Sequence, residues 1–343
     1  MTKESTAASN SYLVGENASR EDVDQPWEQD NQAWWDWYVS LGSEGIDSPV
    51  DSTRIDAINA ALEQSLTEVE PADDDALARE LETPYPVTQD QRAFFQRQGY
   101  IKLPGVLSRS AVARLRKEML RLFVAEFGLD PDHEASDRFL SIEMAWLDHP
   151  IIEGFVKSSR IGGLSAELLD VDAVRLYHDN LLAKQPGCGR TPWHNDRHHF
   201  PIDTNDIVTA WIPAQAIPAE MGPLSFAGPI DAYRQVEHIP FDKFGKSYDQ
   251  SVDEVLRSSE TVQLYSEPFA EGDVSFHHNL CFHSAPGNRT RFSRMALANT
   301  FFADGARVVK RPTMVSGDWR KFMPGVEPGE MIDSRLNPIC GHR

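Results

Sequence analysis

The chain has 343 residues, 41% of them hydrophobic, which is enough for a packed core, and its formal net charge is −20. Most of this charge is N-terminal, because residues 1–90 hold four basic and 21 acidic side chains. Binding to nucleic-acid phosphates or to anionic lipid requires clustered Lys and Arg, so neither partner is expected.

No run approaches the ~18 apolar residues of a membrane helix. No apolar segment follows Met1, which argues against a secretory signal peptide. Three cysteines, Cys188, Cys281 and Cys340, are too few and too odd in number for a disulfide framework. We therefore predict a cytoplasmic protein.

The acidic N-terminal part divides into two segments. Residues 1–25 are rich in Ser, Asn and Glu, which predicts a disordered acidic tail. Residues 26–85 are predicted to be a helical extension packed on the main body, with an aromatic stripe at helical spacing. An exposed surface for a partner is the alternative for this stripe. The stripe consists of Trp27, Trp34, Trp37 and Leu41.

Helix signals continue beyond the stripe. An apolar face predicts a helix that ends near the acidic run at residues 73–75. Thr88 and Ser108 are predicted to cap the starts of two further helices, and residues 99–105 between them predict a short strand closed by a turn. The apolar face of the first helix is formed by Ile55, Ile58, Leu62, Leu66 and Val69.

From about residue 170 the pattern changes to short apolar or alternating segments separated by Gly, Pro, Asn and Asp. Many short strands with turn signals favour a β-sandwich or barrel. Because helices come first and strands later, we predict one α+β unit over residues 86–343 instead of two domains.

The sequence Trp193-His194-Asn195-Asp196 carries the first chemical signal. Side chains two apart on an extended segment point to the same side, so His194 and Asp196 can bind one ion. Alone, this pair is weak evidence, because a structural hydrogen-bonded pair is equally compatible with it. His283 supplies a second imidazole, and two imidazoles plus one carboxylate form the facial triad of non-haem Fe(II) oxygenases. Arg294, at the start of the next predicted strand, offers a planar fork for a carboxylate.

Taken together, these motifs resemble the phytanoyl-CoA dioxygenase family of Fe(II)/2-oxoglutarate-dependent oxygenases, from about Val87 to the C-terminus. The resemblance implies a double-stranded β-helix (a jelly roll, cupin-like) flanked by helices. Each matching segment is common alone, and the combination is specific. The matching segments are residues 99–105, 182–187, 193–196, 208–213, 222–224 and 272–274 and the stretch with His283, Asn288 and Arg294.

The resemblance also implies roles for single residues. His194, Asp196 and His283 are implied to bind Fe(II), and Arg294 to bind the distal carboxylate of 2-oxoglutarate. Ser284 and Ala285 stand where family members often have a Gly-Ser pair whose hydroxyl reaches the same carboxylate, so that hydrogen bond is either lost here or supplied by Ser284. The residues implied to lie near the cosubstrate are Trp211, Thr209, Lys184, Asn180 and Ser284.

The activity that the resemblance implies is hydroxylation, or another C–H oxidation, of a small metabolite with O2, releasing succinate and CO2. Ascorbate is a candidate reductant. Related halogenases have a small residue in place of the carboxylate, so Asp196 argues against halogenation. Two alternatives remain open: a non-catalytic metal- or small-molecule-binding jelly roll, and an interaction protein whose acidic extension recruits a partner.

Overall fold

A computed structural model describes residues 32, 35, 51–128, 130–132, 137–239, 246–312 and 319–343. The predicted tail and the four residues of the predicted aromatic stripe lie outside the described residues, so both stay predictions. The helices are α1 (Ser52–Glu68), α2 (Asp74–Glu82), α3 (Gln89–Gln98), α4 (Arg109–Phe127), α5 (Pro150–Val156), α6 (Ser159–Leu169), α7 (Tyr233–Val236) and α8 (Lys246–Ser258).

Nine of the eleven described strands lie beyond residue 170, as the change of pattern there predicts. The strands are β1 (Tyr100–Leu103), β2 (Phe139–Glu143), β3 (Ala173–Lys184), β4 (Thr191–His194), β5 (Ile207–Pro213), β6 (Ser225–Gly228), β7 (Gln263–Ser266), β8 (Val274–His278), β9 (Phe282–Ala285), β10 (Arg294–Ala303) and β11 (Ile339–His342).

Local capping signals set where the first helices start. Thr88 caps α3 in a capping box with Gln91, and the hydroxyl of Ser108 caps α4, so both predicted caps are confirmed. The acidic run has a different role from the one predicted. Helix α1 ends before it, at Glu68, and Asp73 begins α2 by accepting a hydrogen bond from the Ala76 amide at 2.7 Å. A carboxylate is favourable at a helix N-terminus because it faces unpaired amide groups there.

Two antiparallel sheets form the body of the described residues. The larger sheet has the order β1-β8-β5-β10-β3-β11, with β2 also paired to β3, and the smaller has the order β4-β9-β6-β7. The sheets face each other, since the Tyr100 ring of the large sheet stacks on Phe226 of the small one with centroids 4.8 Å apart. This arrangement, with helices packed outside, confirms the predicted α+β jelly-roll class.

The two faces of the large sheet differ in what they carry. Its outer face packs apolar side chains such as Leu181, Phe276 and Leu297 against the helices, in the main hydrophobic core. Its inner face, toward the small sheet, carries the small side chains Ala296 and Ala298 in the middle of β10. The interior between the sheets is therefore where small residues leave room for a ligand.

Helix α1 packs against one rim of the barrel. Leu62 joins the interior apolar cluster, and the buried Asn59 accepts a hydrogen bond from the Arg291 amide at 3.0 Å. Glu63 pairs with the Arg291 side chain. Among the helices described, none is long and apolar enough to cross a membrane.

Candidate active site

Strand pairing brings the predicted metal ligands together. His194 closes β4 and lies directly opposite His283 of β9 in the register, with the ring centroids 4.1 Å apart. Asp196 begins the short 3-10 turn that follows β4. One ligand atom from each of the three side chains lies within 4.8 Å of the other two. The fold thus assembles two imidazoles and a carboxylate from distant parts of the sequence.

Backbone carbonyls orient the two imidazoles. Nδ1 of His194 lies 2.9 Å from the Pro192 carbonyl, and Nδ1 of His283 lies 3.1 Å from the Cys281 carbonyl. Because Nδ1–H donates to these carbonyls, Nε2 is the atom that faces the centre, at 3.8 Å from Asp196 Oδ1 in both histidines. Such outer hydrogen bonds fix the tautomer of metal-binding histidines.

The charge states of the three groups suit a divalent metal ion. Burial, with the neighbouring His283 ring, lowers the pKa of His194 to about 4. Burial and the nearby His277 likewise lower the pKa of His283 to about 4. Burial opposes ionisation of Asp196, but His283, His277 and His194 together bring its pKa below the ordinary value. At neutral pH the site presents two neutral imidazoles and one carboxylate, the forms that bind metal, and this donor set fits Fe(II).

A third histidine, His277, faces the other carboxylate oxygen. Its Nε2 lies 3.6 Å from Asp196 Oδ2, and its ring centroid lies 4.3 Å from that of His283. One oxygen of Asp196 therefore faces the two ligand histidines while the second faces His277. Sequence reasoning gave His277 no role. His277 lies on β8 of the large sheet and His283 on β9 of the small one, so no spacing along the sequence indicates that the two rings meet.

Replacing His277 with Gln should weaken binding of Co(II), used as a stable substitute for Fe(II), by about 10–100-fold, because outer partners orient a ligating carboxylate. Metal titration of the purified variant measures this. The matched control is His278→Gln, since His278 is next to His277 on β8 but points to the opposite face and accepts from the Leu280 amide at 3.2 Å. Equal Co(II) affinities in the two variants would contradict the assignment.

Arg294 and Lys184 are two buried basic side chains at one end of the interior, and together they are called the cation pair. The two residues are direct neighbours in the register of β10 and β3. Arg294 is only 2% exposed, and burial lowers its pKa to about 10, so it stays charged at neutral pH. Burial, helped by the charge of Arg294, brings the pKa of Lys184 well below its ordinary value, which disfavours its charged form unless an anion binds beside it. Throughout the described residues, no carboxylate lies within salt-bridge distance of either side chain.

Carbonyls and aromatic rings hold the two cations in place. Arg294 Nη1 donates to the Gly222 carbonyl at 2.7 Å, while Nε has no hydrogen-bond partner among the described residues. The guanidinium lies 5.3 Å from the centroid of Trp211 and 5.8 Å from that of Phe139. Lys184 Nζ donates at 2.9 Å to two carbonyls in the loops around the site. The guanidinium is therefore fixed by neutral groups, which leaves its charge for a ligand.

Strand β9 passes both the predicted metal ligands and the cation pair. Lys184 Nζ is 3.5 Å from the carbonyl of Ala285, which follows His283 by two residues on that strand. Two residues of strand span roughly 6.6 Å. A short diacid can therefore reach from the metal ligands to the buried cations.

Gly222 has a conformation and surroundings that exclude a side chain. Its φ is +79°, and a Cβ atom there would lie 2.3 Å from the Pro286 carbonyl. Because its own carbonyl holds Arg294, we expect Gly222→Ala to displace that contact. A several-fold rise in KM for 2-oxoglutarate in steady-state assays is the expected result. Gly305→Ala is the control, since Gly305 also has positive φ but nothing within 4 Å; equal effects would show that only backbone strain matters.

The other predicted pocket residues divide into three that face the interior and one that does not. Thr209 lies opposite His277 in the register and contacts Thr300, with hydroxyl oxygens 3.1 Å apart. Asn180 accepts a hydrogen bond from the Ser141 hydroxyl at 2.6 Å on the inner face of β3. Trp211 lies against Arg294, as described above.

Ser284 is the residue that the structure does not bring to the cosubstrate end. It alternates with His283 along β9, so it points to the opposite face of the small sheet. Its hydroxyl donates to the Thr191 carbonyl at 2.9 Å. We find no contact through which it would reach a ligand held by Arg294.

The small sheet of this jelly roll carries the His/Asp/His set, and the large sheet carries a buried arginine with no acidic partner among the described residues. This combination is typical of non-haem iron oxygenases. The model of the phytanoyl-CoA dioxygenase (PhyH) family matches residues 95–296, more than half of the chain. The chain therefore belongs to the phytanoyl-CoA dioxygenase family, and the prediction of a non-haem iron, 2-oxoglutarate-dependent dioxygenase is confirmed.

Individual relatives are more distant. The chain is 24% identical over 225 residues to a probable alpha-ketoglutarate-dependent hypophosphite dioxygenase of Stutzerimonas stutzeri, covering 61% of this chain and 76% of that protein. Two solved structures share the fold and come from nogalamycin biosynthesis. The carbocyclase SnoK has a TM-score of 0.60 at 23% identity, covering 75% of this chain and 99% of that one. The epimerase SnoN, in complex with Fe3+, alpha ketoglutarate and nogalamycin RO, has a TM-score of 0.56 at 21% identity, covering 78% and 100%.

Proposed function

We propose that His194, Asp196 and His283 bind Fe(II), and that Arg294 with Lys184 binds the distal carboxylate of 2-oxoglutarate, in an enzyme that oxidises a small molecule. The observation that carries the proposal is the buried guanidinium of Arg294, with Lys184 beside it. Burying a charge is costly unless it has a counter-ion, and no described acidic side chain supplies one. The distal carboxylate of 2-oxoglutarate would supply that counter-ion, while the 2-oxo acid end of the molecule would reach the metal ligands along β9.

Iron with 2-oxoglutarate and O2 supplies an oxidant strong enough to attack an unactivated C–H bond, with release of succinate and CO2. The work of the chain is to bind and orient. His194 and His283 keep Nε2 directed at the centre, and Asp196 adds the one negative charge of the donor set. Trp211 and Phe139 flank the guanidinium of Arg294 and keep water from it.

The substrate that we propose is a small metabolite. The relatives named above are described as acting on hypophosphite or in nogalamycin biosynthesis, so relatives on this fold take chemically different small molecules. Asp196 occupies a coordination position, which favours hydroxylation or another C–H oxidation over halogenation.

We also propose a cytoplasmic location. Cys188, Cys281 and Cys340 are all buried and in no disulfide, and thiols stay reduced in that compartment.

Succinate release is the direct test of the proposed function. The full chain is loaded with Fe(II) under anaerobic conditions, supplied with 2-oxoglutarate and ascorbate, and exposed to O2 in the presence of candidate metabolites. We expect succinate in proportion to the 2-oxoglutarate consumed, with stimulation by the true substrate. Tight Zn(II) binding together with no 2-oxoglutarate binding to the Fe(II)-loaded chain would instead favour a non-catalytic metal-binding jelly roll.

A further inference from the structure

Two residues of the acidic N-terminal segment, Gln32 and Trp35, contact the edge strand β2. The Gln32 side-chain amide donates to the Phe139 carbonyl at 2.7 Å and accepts from the Ser141 amide at 3.0 Å. A single side chain thus pairs with both backbone groups of the strand edge, as a neighbouring strand would. Gln32 and Trp35 are both helical and three residues apart, so they lie on the same helix face.

Trp35 covers the ring that lies beneath the buried cations. It stacks on Phe139 with centroids 4.4 Å apart and an interplanar angle of 16°. Phe139 is 2% exposed, and its ring centroid lies 5.8 Å from the guanidinium of Arg294 and 5.9 Å from Lys184 Nζ. The order from outside to inside is therefore Trp35, Phe139 and then the two cations.

A second part of the extension holds the loop that leads into Arg294. Asn59 of α1 accepts from the Arg291 amide at 3.0 Å, and Ile58 and Phe292 are both partly buried against the same interior cluster. These contacts and those of Trp35 converge on the same end of the barrel. All of the extension residues involved precede residue 95, where the family match begins.

We propose that the acidic N-terminal extension is part of the 2-oxoglutarate site in this chain, with Trp35 as a positioning residue. The proposal rests on the proposed function of Arg294 and Lys184. Stacking by Trp35 restrains the Phe139 ring and excludes water from the cation pair. Charge pairing is stronger where water is excluded, so the distal carboxylate binds more tightly with Trp35 in place.

The experiment is calorimetric titration of 2-oxoglutarate into the full chain loaded with Co(II), which supports binding without turnover. Trp35→Ala should raise the Kd for 2-oxoglutarate roughly 2- to 10-fold, a factor that corresponds to the free energy contributed by one aromatic pair. The Kd for Co(II) itself should not change. Trp35→Phe keeps a stacking ring and should restore most of the affinity for 2-oxoglutarate.

Two further variants separate this role from general stabilisation. Trp146→Phe alters a buried tryptophan that packs under Lys157 in the outer helical layer, and it should leave the 2-oxoglutarate Kd unchanged. Gln32→Ala removes the two hydrogen bonds to β2 and should raise the same Kd, which keeps the test open if Trp35→Ala does not fold.

The outcomes distinguish the two proposals. If the unaltered chain binds 2-oxoglutarate and both Trp35→Ala and Gln32→Ala bind it equally well, the role of the extension is overturned while the function of Arg294 stands. If the unaltered Co(II)-loaded chain does not bind 2-oxoglutarate, the proposed function is overturned, and this inference with it.

Discussion

Replacing Asp196 with alanine should reduce succinate release by more than about 100-fold. Mutating a residue that only hydrogen-bonds to a metal ligand already lowers metal affinity or activity by about 10–100-fold. Asp196 is the only carboxylate of the His/Asp/His set, and its Oδ1 faces both ligand imidazoles at 3.8 Å. Without it the site offers two neutral nitrogens, which bind Fe(II) weakly. The measurements are Fe(II) titration and succinate release under O2.

Asp206→Ala is the matched control for this variant. Asp206 is an exposed carboxylate in the segment that connects β4 to β5, where it accepts from the Thr204 hydroxyl at 3.2 Å. Its removal should leave both Fe(II) affinity and turnover close to those of the unaltered chain. Full turnover in Asp196→Ala would contradict the assigned metal set.

Replacing Arg294 with lysine should raise the KM for 2-oxoglutarate roughly 10- to 100-fold, with a smaller effect on kcat at saturating cosubstrate. The substitution keeps a cationic side chain but loses the planar fork, and a hydrogen bond to a charged group contributes about 1.5–3 kcal/mol. The shorter head group also loses the contact with the Gly222 carbonyl. Steady-state kinetics at varied 2-oxoglutarate, with Fe(II) affinity measured separately, tests this.

Arg291→Lys is the control for the arginine variant, because Arg291 lies on the same segment but pairs at the surface with Glu63. Its KM for 2-oxoglutarate should stay within about twofold of the unaltered value, since exposed ion pairs contribute little. If Arg294→Lys left the KM unchanged, or removed Fe(II) binding instead, Arg294 would not be the residue that holds the cosubstrate.

The position of His277 determines which oxygen of Asp196 is available to a metal ion. A carboxylate with both oxygens directed at the metal would occupy an additional coordination position. Here Oδ2 of Asp196 is directed to His277 at 3.6 Å while Oδ1 faces the ligand imidazoles. If Asp196 bound Fe(II) through one oxygen only, the positions that a cosubstrate and dioxygen require would stay open.

At Ser284 the strand geometry favours one of the two alternatives that the family pattern leaves open, the loss of the hydrogen bond. The resemblance suggests a hydroxyl near the distal carboxylate, and Ser284 is next in sequence to a metal ligand. Side chains alternate between the two faces of a strand, so a residue adjacent to an inward-facing histidine points outward. Lys184, which the resemblance also implies to lie near the cosubstrate, is the direct neighbour of Arg294 in the strand register.

The sequence by itself determined the local features of this protein. The caps at Thr88 and Ser108 depend on hydrogen bonds within four residues, and the common side of His194 and Asp196 depends on the period of a strand. The change of pattern near residue 170 likewise predicted strands from turn residues and short apolar segments. Each of these features is decided by interactions within a short stretch of chain.

Only the tertiary structure decided which distant residues meet. The pairing of His194 with His283, the contact of His277 with Asp196, and the adjacency of Lys184 and Arg294 follow from strand register, which is fixed by the packing of two whole sheets. The contact of Trp35 is also decided by the tertiary structure. The sequence pattern favours its neighbour Trp34, which has helical spacing with Trp27 and Trp37, but Trp35 is the residue that stacks on Phe139. Such contacts depend on the burial of many side chains from distant parts of the chain, so they cannot be predicted from any short stretch of sequence.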